Sequence, residues 1–135
     1  MKEIVLFGAG GFAKEVANMI KNINAKTPTY DFLGFIVEAK YYKPGIVIND
    51  YPVLGDENWI LEHKGVLCNC AIADVNAKKR IQEFLRNNGV IFETIVDVTG
   101  YISPHSVVGA GSVIYPYVLV SENVEIGGIC YCGCV

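Results

Sequence analysis

The chain has 135 residues, 52% of them apolar and 19% charged, with a formal net charge of −3. That balance suits a packed core and excludes intrinsic disorder, and the charge excludes an electrostatic footprint for nucleic acid. No window reaches the ~18 consecutive apolar residues of a membrane span, and the first apolar stretch is too short for a signal-peptide core. The five cysteines, an odd count in C-x-C spacings, do not form a disulfide framework, so the expectation is a reduced, cytoplasmic protein.

Ile4-Val5-Leu6-Phe7 is a continuous apolar run, as a strand buried on both faces requires. Gly8-Ala9-Gly10-Gly11 ends it, and Ala13, Val16, Ala17 and Ile20 then recur at helical spacing. Phe32 to Val37 reads as a second buried strand, which makes a βαβ unit with parallel strands. Lys40 to Asp50, with Pro44-Gly45 and Asn49-Asp50, reads as a loop. Asp56 is placed to cap a short helix through Trp59 to His63, and Val66 to Ala73 is the third strand. Asn76 is placed to cap a helix with Ala77, Ile81, Phe84 and Leu85 as its buried stripe and Gly89 at C′. Lys78-Lys79-Arg80 reads as the solvated face of that helix, and Ile91 to Ile95 as a fourth strand. Residues 1–95 are thus a small Rossmann-like α/β domain with a parallel sheet.

The period then changes. Val96, Ile102, Val108, Ile114, Val120 and Ile126 are spaced six apart, with Cys132 next. Four positions after each come Gly100, Ser106, Ser112, Val118, Val124 and Cys130, all small or medium. Helices repeat near 3.6 and flat strands at 2, whereas hexapeptide repeats build a parallel β-helix with the aliphatic residue pointing inward. Residues 96–135 are therefore expected to be an incomplete β-helix.

Taken together, Gly8-Ala9-Gly10-Gly11-Phe12-Ala13-Lys14-Glu15-Val16, Gly34-Phe35-Ile36, Tyr51-Pro52-Val53-Leu54-Gly55, Ala71-Ile72-Ala73-Asp74 and the hexapeptides resemble the sialic acid O-acetyltransferase (NeuD-like) family, which includes PglD-type sugar N-acetyltransferases. The resemblance runs along the whole chain in order. It implies an N-terminal domain that holds a nucleotide-activated sugar (UDP- or CMP-linked) and a left-handed β-helix that forms homotrimers. It also implies acetyl-CoA as co-substrate, bound between subunits, and a histidine base early in the β-helix that takes the proton of the attacking amine or hydroxyl. The chain departs from the family at three places. Phe12 stands where the glycine loop usually carries histidine, and Val37-Glu38 stand where two aspartates are usual. The catalytic histidine is expected about one coil beyond Ile126, past Val135. The expectation is that this chain carries the acceptor-binding part and does not transfer acetyl groups alone.

The candidate substrate-binding residues are Gly8, Gly10, Gly11, Phe12, Val37, Glu38, Ala73 and Asp74; no catalytic residue and no metal ligand is assigned. Glycines allow close backbone approach, and the N–H groups of the following helix start attract phosphate. The Gly8-x-Gly10-x-x-Ala13 spacing also fits a dinucleotide fingerprint, so an NAD-binding Rossmann protein is an alternative, as are a non-catalytic regulatory module and a ligand-free tight turn. Glu38 ends the second strand, where it can accept from a ribose hydroxyl or a base N–H. Asp74 lies on the same sheet edge, with a turn or helix cap as its competing role. His63 is expected to cap carbonyls and His105 to point outward without a catalytic role. Cys130, Cys132 and Cys134 lack a zinc-site spacing and read as packed thiols. Tyr115, Tyr117 and Tyr131 fall off the inward series and are expected at subunit contacts.

Overall fold

The computed structural model describes residues 1–126 and the backbone of 131–132. Strand β1 (Lys2–Phe7) lies between β2 (Tyr30–Ile36) and β5 (Leu67–Cys70), both parallel to it. Beyond β2 come β4 (Tyr51–Gly55), parallel, and β3 (Val47–Ile48), antiparallel, giving the order β3-β4-β2-β1-β5. The run Ile4–Phe7 is buried on both faces, as its unbroken apolarity requires. Ile4 and Leu6 pack with α1 (Gly11–Lys26), and Val5 and Phe7 pack with α2 (Glu57–Glu62) and α3 (Val75–Asn87). Ala13, Val16, Ala17 and Ile20 form the buried stripe of α1, joined by Met19.

After residue 94 the chain makes two-residue strands: β6 (Ile95–Val96), β7 (Tyr101–Ile102), β8 (Val107–Val108), β9 (Val113–Ile114), β10 (Leu119–Val120), β11 (Glu125–Ile126) and β12 (Tyr131–Cys132). Each pairs in parallel with the strand three repeats on: β6 with β9 and β9 with β12, β7 with β10, β8 with β11. Three short sheets result, and every second position of each strand pair falls in the six-residue series. Ile114 and Val120 of that series are buried. This stack is seated on the first part of the chain. Ile95, Val113 and Tyr115 share a core with α1. The buried Asn69 amide donates to the Glu93 carbonyl at 2.9 Å, and Thr94 Oγ1 donates to Gly109 O at 2.9 Å.

Several local expectations are corrected. Residues 47–55, expected to begin as loop, form a hairpin whose two-residue turn is Asn49-Asp50, with φ of 47° and 71°. Two consecutive left-handed residues of this kind match the twist of paired strands. Residues 91–95 are not a fourth strand: only a single bridge joins Phe92 to Cys68, and Ile95 instead pairs with Val113. Asp74, not Asn76, caps α3, accepting from the N–H groups of Asn76 (3.0 Å) and Ala77 (3.3 Å). Gly89 does hold C′ with φ 87°, and Val90 N–H reaches Leu85 O at 3.1 Å, which satisfies the last carbonyls. Asp56 caps α2 as expected, its side chain accepting from Asn58 N–H at 2.9 Å.

The buried stripe of α3 is Lys78, Ile81, Gln82 and Leu85, spaced i, i+3, i+4, i+7, while Phe84 is 47% exposed. The helix face is turned by about one residue from the expected one, which brings Lys78 to full burial. The Lys78-Lys79-Arg80 run is therefore not one solvated face. Burial here takes the ammonium as well as the four-carbon stem out of water, which costs free energy unless polar partners replace the lost hydration. Tyr115 is likewise buried, covered by α1 of its own chain, whereas Tyr117 is 86% exposed; the side chain of Tyr131, with those of Cys130, Cys132 and Cys134, lies outside the described residues.

Gly34 shows how tightly β2 is set. The register of β1 with β2 skips Leu33, Gly34 has φ 145°, and a Cβ there would lie 2.4 Å from Pro52 O. Gly34→Ala is expected to destabilise the chain by about 2–4 kcal/mol, through strain and a backbone clash acting together; a urea midpoint unchanged from wild type would refute this packing.

Candidate functional site

β1, β2 and β5 all run the same way, so their carboxyl ends open on one edge of the sheet, where α/β folds form their crevices. There a cavity of about 370 Å³ is lined by residues from the ends of all three strands, from the first turn of α1 and from Ala77 of α3. It brings together all eight sequence candidates: Gly8, Gly10, Gly11, Phe12, Val37, Glu38, Ala73 and Asp74. Its volume is at the lower end of the ~300–1,000 Å³ of small-molecule sites.

The strand ends are stitched to one another. Gly8 N–H donates to Ile36 O at 2.8 Å, and Ala71 N–H donates to Phe7 O at 2.9 Å. Gly8 has φ 128°, and a Cβ on it would meet Ala71 O at 2.5 Å, so the chain's own packing demands glycine there. Gly10 and Gly11 differ. A Cβ on either would meet nothing within 4 Å, so their missing side chains leave open space rather than fill a packing need. Gly10 is the N-cap of α1 with no side-chain cap, and the first turn carries no acidic residue. A helix start of this kind directs N–H dipoles at whatever occupies the cavity and favours an anion.

Glu38 is partly buried and pairs with Arg80 across the cavity rim, at 3.3 and 3.4 Å from its two oxygens. The contact is long and exposed, so it orients the carboxylate more than it stabilises the fold. Asp74 spends one oxygen on the cap of α3, so its structural role is realised at the cavity edge. Behind the cavity the Cys70 thiol is buried next to the charges of Lys78 and Glu38. Burial raises it to about 12, with Lys78 pulling it down and Glu38 pushing it up. Burial likewise raises the Cys68 thiol. Beyond the eight candidates the lining also contains Phe7, Ala9, Tyr41, Ala71, Ile72 and Ala77, and sequence reasoning missed the burial of Lys78. Tyr41 sits in a segment read as loop, and a lysine within a charged run gives no local sign of burial.

The histidines lie apart from this cavity. His63 Nδ1 meets Trp59 O at 2.6 Å, a C-terminal cap, with its ring stacked on Trp59. His105 Nδ1 lies 2.7 Å from Glu122 Oε2, with both side chains mostly exposed, and Ser103 Oγ donates to the same carboxylate. Among the described residues no group of three histidine, cysteine or acidic side chains is placed to hold a metal ion, and no helix is long and apolar enough to cross a membrane.

Residues 3–85 match the PglD N-terminal domain family. GDP-perosamine N-acetyltransferase of Escherichia coli O157:H7 is 25% identical over 123 residues, which cover 90% of this chain and 55% of that protein. Among solved structures, a mutant of perosamine N-acetyltransferase from Caulobacter crescentus, in complex with CoA and GDP-perosamine, superimposes with a TM-score of 0.77 at 20% identity, covering 97% of this chain and 60% of that one. WeeI from Acinetobacter baumannii AYE gives 0.73 at 22% identity, over 97% and 69% of the two chains. The acetyltransferase domain of PglB from Neisseria gonorrhoeae, in complex with acetyl coenzyme A, gives 0.65 at 20%, over 96% and 66%. The fold is therefore shared with acetyltransferases, and the chain spans little more than half the length of the curated relative it matches.

Two outcomes are expected from this geometry. Gly8→Ala is expected to lose about 2–4 kcal/mol of stability, whereas Gly11→Ala, at the first helical position and facing open space, should be neutral or gain up to ~0.5 kcal/mol; equal midpoints for both variants would sink the distinction. The Cys70 thiol is raised in the folded state from its ordinary 9.0 to about 12, so folding favours the neutral form. Its contribution is complete below pH 9.0 and is lost as pH climbs through about 12. Denaturant midpoints should therefore fall over that window, and less so in Cys70→Ala; a parallel decline in both proteins would count against it.

Proposed function

This chain belongs to the PglD N-terminal domain family, and from that premise we propose that it binds the sugar acceptor of an acetyl-CoA-dependent sugar acetyltransferase. The acceptor is a nucleotide-activated amino sugar of surface-glycan or pilin-glycosylation biosynthesis. The observation that carries this reading is the cavity that gathers the ends of β1, β2 and β5, with Gly10 and Gly11 opening unneeded space onto the uncapped start of α1. In it the backbone N–H groups of the loop and first turn hold the diphosphate. Glu38, oriented by Arg80, accepts from a ribose hydroxyl or a base N–H. Phe12 stands edge-on to Tyr115, with ring centroids 5.7 Å apart, and so borders the cavity on the side of the short-strand stack. Relatives whose names specify GDP-perosamine widen the expected nucleotide from UDP or CMP to GDP.

We read residues 1–95 as the acceptor-binding domain and 96–135 as the first coils of a left-handed β-helix. What supports the second is the six-residue recurrence of paired two-residue strands in three sheets. In this reading acetyl-CoA is bound along the β-helix between subunits of a homotrimer. Tyr101, Val107, Tyr117 and Leu119, apolar and exposed on the outside of the stack, are the side chains a second copy would cover. The buried thiols of Cys68 and Cys70, not joined in a disulfide, suit a reducing cytoplasm. The chemistry is attack of a sugar amine or hydroxyl on a thioester. In this reading the cavity residues hold and orient the acceptor.

Calorimetry with GDP-, UDP- and CMP-sugars and with NADH tests the site. One nucleotide sugar should bind and NADH should not, and Gly11→Ala should weaken binding roughly tenfold or more, about 1.4 kcal/mol, without loss of stability. Binding of NADH alone would replace this reading with that of a dinucleotide-binding protein.

A further inference from the structure

The chain after β2 carries adjacent tyrosines with opposite fates. Tyr42 packs against the core, whereas Tyr41 lines the cavity and remains 64% exposed. A large ring kept open to solvent at the mouth of a cavity has lost the burial that its neighbour obtains. Its position is nevertheless set. Residues 39–41 form a 3₁₀ turn in which Tyr41 N–H donates to Glu38 O at 2.8 Å, and Ala39 N–H donates to a Glu57 carboxylate oxygen at 3.2 Å. The Lys40 ammonium lies over one face of the ring, 5.0 Å from its centroid, a contact on a flexible side chain that an incoming ring can displace. The remaining lining is aliphatic, glycine or acidic, apart from Phe7, which is buried in the core beneath, and Phe12, which is engaged with Tyr115.

An anchored, open aromatic ring three residues from a carboxylate fits a planar heterocycle: the ring covers its face while the carboxylate accepts from its edge. We propose that Tyr41 is the platform on which the nucleobase of the bound nucleotide stacks, so that it sets affinity for the base and leaves the phosphates untouched. This rests on the nucleotide-sugar reading above. The strand order supports it, since β2 and β5 flank β1 on opposite sides. The phosphate loop after β1 and Tyr41 after β2 are thus separate stations on one sheet edge, as the two ends of a nucleotide require.

The test compares the full chain with Tyr41→Ala and Tyr41→Phe, using GDP, UDP and inorganic pyrophosphate as calorimetric probes and thermal melting as a check on folding. Loss of the base stack predicts a drop in GDP affinity of roughly tenfold or more in Tyr41→Ala. UDP, with its smaller ring, should lose less, pyrophosphate should lose nothing, and Tyr41→Phe should bind as wild type. A Tyr41→Ala chain that keeps wild-type GDP affinity overturns the platform and leaves the nucleotide reading intact. An equal loss for pyrophosphate also overturns it, because the ring would then be shaping the loop. Wild-type protein that binds neither nucleotide removes the nucleotide reading itself, and the platform with it.

Discussion

The structure depends on a close approach at the end of β1. Gly8 N–H is bonded to Ile36 O, and the Gly8 Cα comes so near Ala71 O that no side chain could be accommodated. Three strand ends are thereby drawn to one point. Everything that follows each strand, namely the glycine loop, Val37-Glu38 and Ala73-Asp74, is delivered to the rim of the same cavity. The constraint is one of backbone space, so glycine satisfies it without consuming a donor or acceptor. The same loop then starts α1, whose first turn supplies the favourable field for an anion.

α1 is the element that couples this edge to the rest of the chain. One of its faces covers Ile4 and Leu6 of the sheet, and the same helix packs on Ile95, Val113 and Tyr115 of the short-strand stack. Phe12 meets Tyr115 edge-on, and Tyr115 Oη donates to Glu15 at 3.3 Å. The helix whose start borders the cavity is thus held from two sides, and the buried Asn69 amide adds a polar tie between β5 and the segment that enters the stack. The cavity edge and the short-strand stack are thus linked through packed side chains of one helix.

Charge at the site is arranged in depth. Arg80 and Glu38 pair at the rim, while Lys78 lies fully buried below, close enough to influence the Cys70 thiol. Lys78 shares the buried stripe of α3 with Ile81, Gln82 and Leu85, so it belongs to the packing of that helix.

Most of what depends on short-range pattern was legible in the sequence. The unbroken Ile4–Phe7 run and the Ala13-Val16-Ala17-Ile20 stripe each state their own burial, and the hexapeptide period states the spacing of the short strands, because side-chain direction along one element follows from its repeat. That the eight candidate residues share one sheet edge was legible too, since the ends of parallel strands and the start of a helix are positions along the chain. Which elements become neighbours was decided only in three dimensions. Ile91 to Ile95 had the composition of a strand, but Ile95 found its partner in Val113 and not in the sheet. The turn of α3 by one residue placed Lys78 inside and Phe84 outside, because the cap fell on Asp74 and the sheet determined the facing surface. Tyr41 and Tyr42 are the same residue type in adjacent positions, and only the packing of Tyr42 against the core distinguishes them. Sequence by itself determined the periodicities and the glycine loop, whose causes are local. Tertiary structure decided partners, facing and exposure, because these are set by surfaces contributed from distant parts of the chain.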